Sequence, residues 1–443
     1  MRHRLVHLLR SLIVITVLGA AAAAARGATD DPALVERARG IHERVITLDT
    51  HVDIWPDNFR PETNYTQDLP TQVNLPKMER GGLDAAFFIV YVGQGPLTEA
   101  GYRNAYEQAL TKFEAIHWMA EELAPERIGL ATTAEDVRAI AASGRKVALI
   151  GVENAYPIGL DLSRIEEFAR RGARYVSLAH NGHSQFSDSN TGEIREGGMR
   201  YGGLSELGRE AVRELIRWGL MLDLSHPSTA ATLEMIELSR APVIASHSAA
   251  RALSDVPRNM DDEQLDALAE NGGVIQTVAF RGYVDESKQS AFQNEYDRRL
   301  RELGEARGID VLPDRRQVYM MQPAERRAYL ERIRPLREEL DRQLDQFEAP
   351  PVDVADFVDH IDYLVERIGI DHVGISSDFD GGGGVTGWND AAETFNVTLE
   401  LVRRGYSEAD IRKLWSDNLL RVMEAVRQTG ERLRREEALA TAG

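Results

Sequence analysis

Eight strand-like runs alternating with segments of helical period predict an α/β protein, a TIM-like (β/α)8 barrel interrupted by one helical insertion. Three observations carry that reading. The runs are nearly continuously apolar and rich in β-branched residues, as strands buried on both faces should be. Helical segments separate most of them. Histidines and carboxylates fall, one after another, where the runs end, which in such a barrel is the face that carries chemistry. A doubly wound open sheet would show the same alternation, but it gathers its site at one switch point rather than from six strand ends.

In chain order, the N-terminus has a basic segment (MRHRLVHLLR), an apolar core (SLIVITVLGAAAAAA) and small residues suited to cleavage after Ala25 or Ala28. Residues 1–28 are therefore expected to be a signal peptide, and 29–443 one barrel domain exported to a bacterial periplasm. The apolar core is short for a span of about 20 residues, so no stable membrane anchor is expected after cleavage. ERARGIHERV is an amphipathic lead-in. The strand candidates are VITLD, 85–92, 146–152, 174–180, 220–226, 242–247, 273–280 and 372–378. Helical period covers 102–123, 205–219 and 262–273, the last closing on a glycine stop signal. Residues 285–350 carry dense mixed charge and read as an inserted helical hairpin with i,i+4 ion pairs on a solvated surface.

The composition is that of a large globular domain: 443 residues, 43% apolar and 28% charged. The formal charge of −19 opposes a nucleic-acid partner. There is no cysteine, so any metal ligands must be His, Asp or Glu.

His51 and Asp53 stand at i and i+2, on one face of a strand. Glu153 ends the third run, where a lone buried carboxylate would be costly. His226 and His247 end neighbouring runs. Singly, each has a bland reading: a capped strand-end His, a rim Glu paired with Arg, a hydrogen-bonded core His. Together they favour a metal site. His51 and Asp53 would hold one ion, His226 and His247 another, with Glu153 between them. About three protein ligands per ion leave a position open for water, as a catalytic zinc site requires. Two Zn²⁺ ions bridged by Glu153 and a hydroxide are hydrolytic equipment.

The segments THVDIWPDN, GVEN, SLAHN, LDLSHPS, VIASHSAARAL…RN and SSDFDG, in this order, resemble the membrane dipeptidase (renal dipeptidase) family of metallopeptidases. NLPKMERGGLDAAFFIVYV and NLLRVMEAV support the likeness, which spans about 45–285 and 352–427 and omits the insert. The resemblance implies a barrel of the metal-dependent hydrolase type. It implies that Asp378 is the acid/base, that His180 stabilises the oxyanion without binding metal, and that Arg258 grips the substrate's free carboxylate. Tyr283 would line the pocket. Asp380 competes with Asp378 or instead holds the loop. Asn181, His183 and Asp188 could share the loop of His180, and Trp55 and Tyr156 could shape side-chain pockets or simply pack. The implied substrate is a dipeptide, with tolerance of a C-terminal D-residue, and the implied assembly a homodimer. Mammalian members are disulfide-linked and lipid-anchored; this chain departs from them in having no cysteine, so neither feature is carried over. Two alternatives stand beside this reading: an amidohydrolase of N-acyl amino acids or lactams, and a non-catalytic binding protein on the same barrel.

Overall fold

The computed structural model of the protein describes residues 31–313, 317–318 and 321–442, so the leader 1–28 lies outside the described residues. Eight parallel strands follow one another around a barrel: β1 (Leu48–Asp53), β2 (Ala85–Tyr91), β3 (Lys146–Glu153), β4 (Ala173–Ser177), β5 (Met221–Asp223), β6 (Ile244–Ser248), β7 (Val274–Val278) and β8 (Val373–Ser376). A short strand, Ile128–Leu130, pairs with the start of β3 beside this circuit. The ring closes between β1 and the segment after β8. There the Asp53 N–H donates to Phe379 O (2.9 Å) and the Ser377 N–H to the Asp49 carboxylate (3.0 Å).

The strands behave as their composition requires. In β2 every residue except the last is buried, and β1 is buried throughout. One continuous apolar core joins the barrel to its surrounding helices. The helices start on side-chain caps that accept N–H groups otherwise left unpaired. Thr98 opens Glu99–Trp118, Ser205 opens Glu206–Arg217, and Asp261 with Gln264 makes a capping box on Asp262–Glu270. The first of these begins three residues before the expected 102, because Thr98 is its cap. It ends in a π-turn at Met119–Leu123. Among the described residues no helix is long and apolar enough to cross a membrane.

Among the strands that end sooner than their apolar runs, three leave site residues beyond them. β4, β5 and β8 stop at Ser177, Asp223 and Ser376, so His180, His226 and Asp378 stand in the loops beyond. The cause is local competition for backbone groups. The Ser225 N–H goes to the Asp223 carboxylate (3.1 Å), and His226 O accepts from the Asn190 N–H (3.0 Å), so neither continues the ladder.

The charged stretch folds as two helices, Glu286–Ala306 and Pro323–Asp341, packed against each other. Their outer faces carry the pairs Arg298–Glu302 and Arg334–Glu338, whereas Arg299–Glu295 is packed beside Phe347. Between them lies a small separate core of Tyr296, Leu300, Leu336, Leu340 and Phe347, which the charge pattern concealed.

Candidate metal centre

The strand ends bring His51, Asp53, Glu153, His180, His226, His247 and Asp378 into one cluster. Glu153, the last residue of β3, is its hub. Its Oε1 lies 2.8 Å from His226 Nε2, 3.3 Å from His247 Nε2 and 3.7 Å from His180 Nε2. Its Oε2 faces the other way, 3.6 Å from His51 Nε2, which is itself 3.8 Å from Asp53 Oδ2. One carboxylate thus faces donors on both sides, and the two sides meet where the His51 and His247 rings lie 3.8 Å apart. The nearest ligand atoms of His51, Asp53 and Asp378 also lie within 4.8 Å of one another.

The backbone is strained at this face. Asn154 (φ 74°), Asp378 (φ 58°) and Asp380 (φ 62°) are the non-glycine residues with positive φ among those described. Conformations of this kind cost about 1–3 kcal/mol each and persist where the surroundings enforce them. Asn154 is held by its N–H to Ser177 Oγ (2.9 Å) and its side-chain amide to Val92 O (3.0 Å). Asp380 accepts from the N–H groups of Gln72 and Val73 (2.8 and 3.1 Å), so it fastens the loop rather than competing with Asp378. At Gly381 an added Cβ would sit 2.3 Å from Asp378 Oδ1 and 2.4 Å from Asp53 Oδ2. Only glycine lets the chain pass so close to both carboxylates.

Two of the histidines are locked in the tautomer that metal binding needs. Tyr175 Oη donates to Thr50 O (3.0 Å), so it accepts from His51 Nδ1–H (2.9 Å). His51 Nε2 is left buried, facing Glu153 and Asp53 at 3.6 and 3.8 Å with no hydrogen-bond partner. Likewise Ser246 Oγ donates to Asp223 Oδ2 (2.7 Å) and accepts from His247 Nδ1–H (2.8 Å), which frees His247 Nε2. Such partners orient ligands and raise their basicity. His226 has none, its Nδ1 being buried without a protein acceptor. Asp49 Oδ1 accepts from the N–H groups of His51 and Ser377, tying the β1 ligands to the Asp378 loop.

The electrostatics show a site short of positive charge. Burial, reinforced by Glu153, raises Asp53 to about 6. Burial, with Asp53 and Glu153 adding to it, pushes Asp378 well above the usual carboxylate range. Burial would lower His51, but Glu153, Asp53 and Asp378 outweigh it and raise it to about 9. Glu153, despite its burial, is held well below its usual range by His180, His51, His226 and His247. Protons here stand in for cations. Imidazole nitrogens, carboxylate oxygens and an orphaned His51 Nε2 form a donor set that fits divalent metal ions.

The remaining sequence candidates fall around this cluster. His180 rests its ring 4.6 Å from Tyr91 and 4.3 Å from His226, and burial lowers its pKa to about 4. Its Nε2 has only a long contact, 3.4 Å, to the Asn181 amide. Arg258 is buried and donates to Ser225 O and to His247 O (3.2 Å), which leaves Nε–H without a protein acceptor. Tyr283 lies beside it, its ring 5.3 Å from the guanidinium and stacked on Phe280. His183 and Asp188 pair at 3.1 Å away from the ligands, and Asp188 accepts from the N–H groups of Arg200 to Gly203, so they organise a loop. Tyr156 is buried and donates to Pro96 O (2.7 Å), a packing role, whereas Trp55 stands exposed. A cavity of about 300 Å³ lies in the inserted hairpin and shares no residue with the cluster.

Sequence reasoning missed Tyr175, Ser246, Asp223, Asp49 and His360. Asp49 and Asp223 carried a signal, each being a carboxylate two or three residues before a ligand histidine in an apolar run. Tyr175 carried none. His360 accepts the Ala250 N–H at Nδ1 (3.1 Å) and donates to Val284 O (2.7 Å), pinning the loops that follow His247 and Tyr283.

A closed parallel barrel with His and carboxylate donors gathered at the strand ends defines a metal-dependent hydrolase. Residues 35–437 match the family model described as membrane dipeptidase, peptidase family M19, and the chain belongs to that family. It is a metal-dependent dipeptidase. Among its relatives is Dipeptidase tcpJ of Claviceps purpurea, 30% identical over 84% of this chain and 72% of that protein. The probable dipeptidase PvdM from Pseudomonas aeruginosa is 33% identical, with a TM-score of 0.74 over 90% of this chain and 100% of that one. A metallopeptidase from Rhodobacter sphaeroides, solved with a phosphinate mimic of the dipeptide L-Ala-D-Ala, is 25% identical, with a TM-score of 0.62 over 86% and 99%.

Proposed function

We propose that this chain hydrolyses the peptide bond of dipeptides at a pair of divalent ions, zinc by its donor set, and that it tolerates a C-terminal D-residue. The observation that carries the two-ion reading is the division of Glu153, with Oε1 toward His226 and His247 and Oε2 toward His51. His51 and Asp53 would hold one ion and His226 and His247 the other, with Glu153 shared. When bound, the ions supply Lewis acidity toward the scissile carbonyl and lower the pKa of a water.

The chain's own residues do the rest. Asp378, whose pKa burial and its carboxylate neighbours push upward, is the acid/base that would take a proton from the attacking water and pass it to the leaving amine. His180 Nε2 faces the Oε1 side of Glu153 and donates to the oxyanion, a role that requires its proton on Nε2. Arg258 keeps its Nε–H, which neither Ser225 O nor His247 O takes, for the substrate's carboxylate, with Tyr283 alongside. The ligand of the Rhodobacter sphaeroides relative supports the D-residue tolerance. The leader read from the sequence supports export to a periplasm, which N-terminal sequencing of the mature protein tests.

The deciding experiment measures metal content of the purified chain together with turnover of L-Ala-L-Ala and L-Ala-D-Ala. Two equivalents of zinc and cleavage of both peptides are expected. A metal-replete chain that cleaves neither, yet hydrolyses N-acyl amino acids, would replace the dipeptide reading.

A further inference from the structure

Lys112 is a cation with no ion-pair partner among the described residues, and it stands beside the site. The chain has five lysines. Four have carboxylate partners: Lys77 with Asp390, Lys146 with Asp84, Lys288 with Asp356 and Lys413 with Asp371. Lys112 has neither an ion pair nor a hydrogen-bond acceptor among the described residues. Its Nζ sits 5.4 Å from the centroid of the Tyr91 ring. Tyr91 ends β2 in register with Glu153, and its ring lies 4.6 Å from His180. The helix Glu99–Trp118 thus delivers an ammonium group to the level of the metal centre, over an aromatic floor.

The carboxylates that act on Lys112 are Asp53 and Glu153. Both are spoken for once ions bind, so neither can neutralise it in the working enzyme. Arg195, which donates to Asn181 O (3.3 Å), adds positive charge near the same Tyr91 and His180 rings. Burying an ammonium here is costly unless an anion meets it.

Position selects which anion. Arg258, Tyr283 and Asp378 follow β6, β7 and β8, so the C-terminal residue and the leaving amine lie on that side of Glu153. Lys112 stands beside β2, across the cluster, where the N-terminal residue must lie. We infer that Lys112, with Tyr91 beneath it, is a specificity site for an acidic side chain on the N-terminal residue of the dipeptide. This rests on the dipeptidase reading above and adds a substrate class to it.

The test compares kcat/KM for Glu-Ala with that for its neutral isostere Gln-Ala, using the metal-loaded full chain. A charge-assisted contact at a half-buried site corresponds to a preference for Glu-Ala of about tenfold. Lys112→Met, which keeps the stem over Tyr91, should bring that ratio close to one, and Lys112→Arg should largely preserve it. High salt should narrow the wild-type ratio even if the Met variant fails to fold. Cleavage of neutral dipeptides with no preference for Glu-Ala, or an unchanged ratio in Lys112→Met, overturns the role of Lys112 alone. A metal-loaded chain that cleaves no dipeptide overturns the reading beneath it as well.

Discussion

The two ends of the metal centre are built in different ways. At one end a single strand, β1, supplies both His51 and Asp53, and Tyr175 fixes the histidine. At the other end His247 comes from β6 and His226 from a loop three residues past β5. There Ser246 and Asp223 fix His247, and nothing in the protein fixes His226 Nδ1. The charge balance differs as well. Neighbouring carboxylates raise His51 to about 9, whereas burial, with nearby cations adding to it, holds His226 and His247 well below their usual value. The β1 end is rich in negative charge and rigid. The β5–β6 end is neutral and depends on a loop. The account therefore expects the β1 ion to be the more tightly held.

The largest effect should come from the residue both ends share. Glu153→Gln removes the common charge, so metal content should fall from two ions per chain to one or none. Loss of several kcal/mol of Lewis-acid assistance corresponds to a drop in kcat/KM of about a thousandfold or more. Asp378→Asn should separate chemistry from metal binding. Turnover should fall by about 10²–10⁴-fold with both ions retained, as steady-state kinetics beside elemental analysis would show. Full activity in that variant would remove Asp378 from its role.

Smaller changes should act on one end at a time. Tyr175→Phe deprives His51 Nδ1–H of its acceptor, and Asp223→Asn weakens the hold on Ser246 and through it His247. Each should lower the affinity of its own ion by about 10–100-fold. Chelator titration should then show one loosened ion in each variant, at opposite ends. Loss of both ions together in either variant would mean that the ends are not independent.

The smallest effect concerns His360, which holds the loops that follow His247 and Tyr283. Burial lowers its pKa, against the opposing pull of the Val284 carbonyl and of Asp359, Asp285 and Asp356. A histidine with a depressed folded pKa leaves stability intact above the unfolded value of about 6.5. Below that pH the unfolded chain takes up the proton first, so stability falls as pH drops toward the folded pKa. One such group contributes at most about 1.4 kcal/mol per pH unit. The difference in melting temperature between pH 8 and pH 5.5 should therefore shrink in His360→Gln. An unchanged difference would show that other groups carry the acid sensitivity.

The contrast between the ends also explains what the sequence made legible. His51 and Asp53 could be read as a pair because the period of a strand puts i and i+2 on one face, although only the other strand-end candidates raised that triplet above a bland reading. His226 and His247 could be listed as candidates, but their meeting depends on a loop path set by Asn190, Ser225 and Asp223, which no periodicity encodes. The barrel order was legible because its strands are buried on both faces and so read as apolar runs. Tyr175 and Lys112 were not, since each reaches the site from an element whose local pattern explains it as core or as a helix face. The inserted hairpin shows the same limit. Its i,i+4 charge pairs were plain, but the core of Tyr296, Leu300, Leu336, Leu340 and Phe347 was masked by the charges around it.

The central claim is that Glu153 divides its two oxygens between two ions, and anomalous diffraction at the zinc edge from crystals of the purified chain tests it most directly. The account predicts two anomalous peaks, one between Glu153 Oε2 and the His51–Asp53 pair, the other between Oε1 and the His226–His247 pair, with His180 outside both coordination shells. A single peak, or a second ion bound through His180 in place of His247, would contradict it.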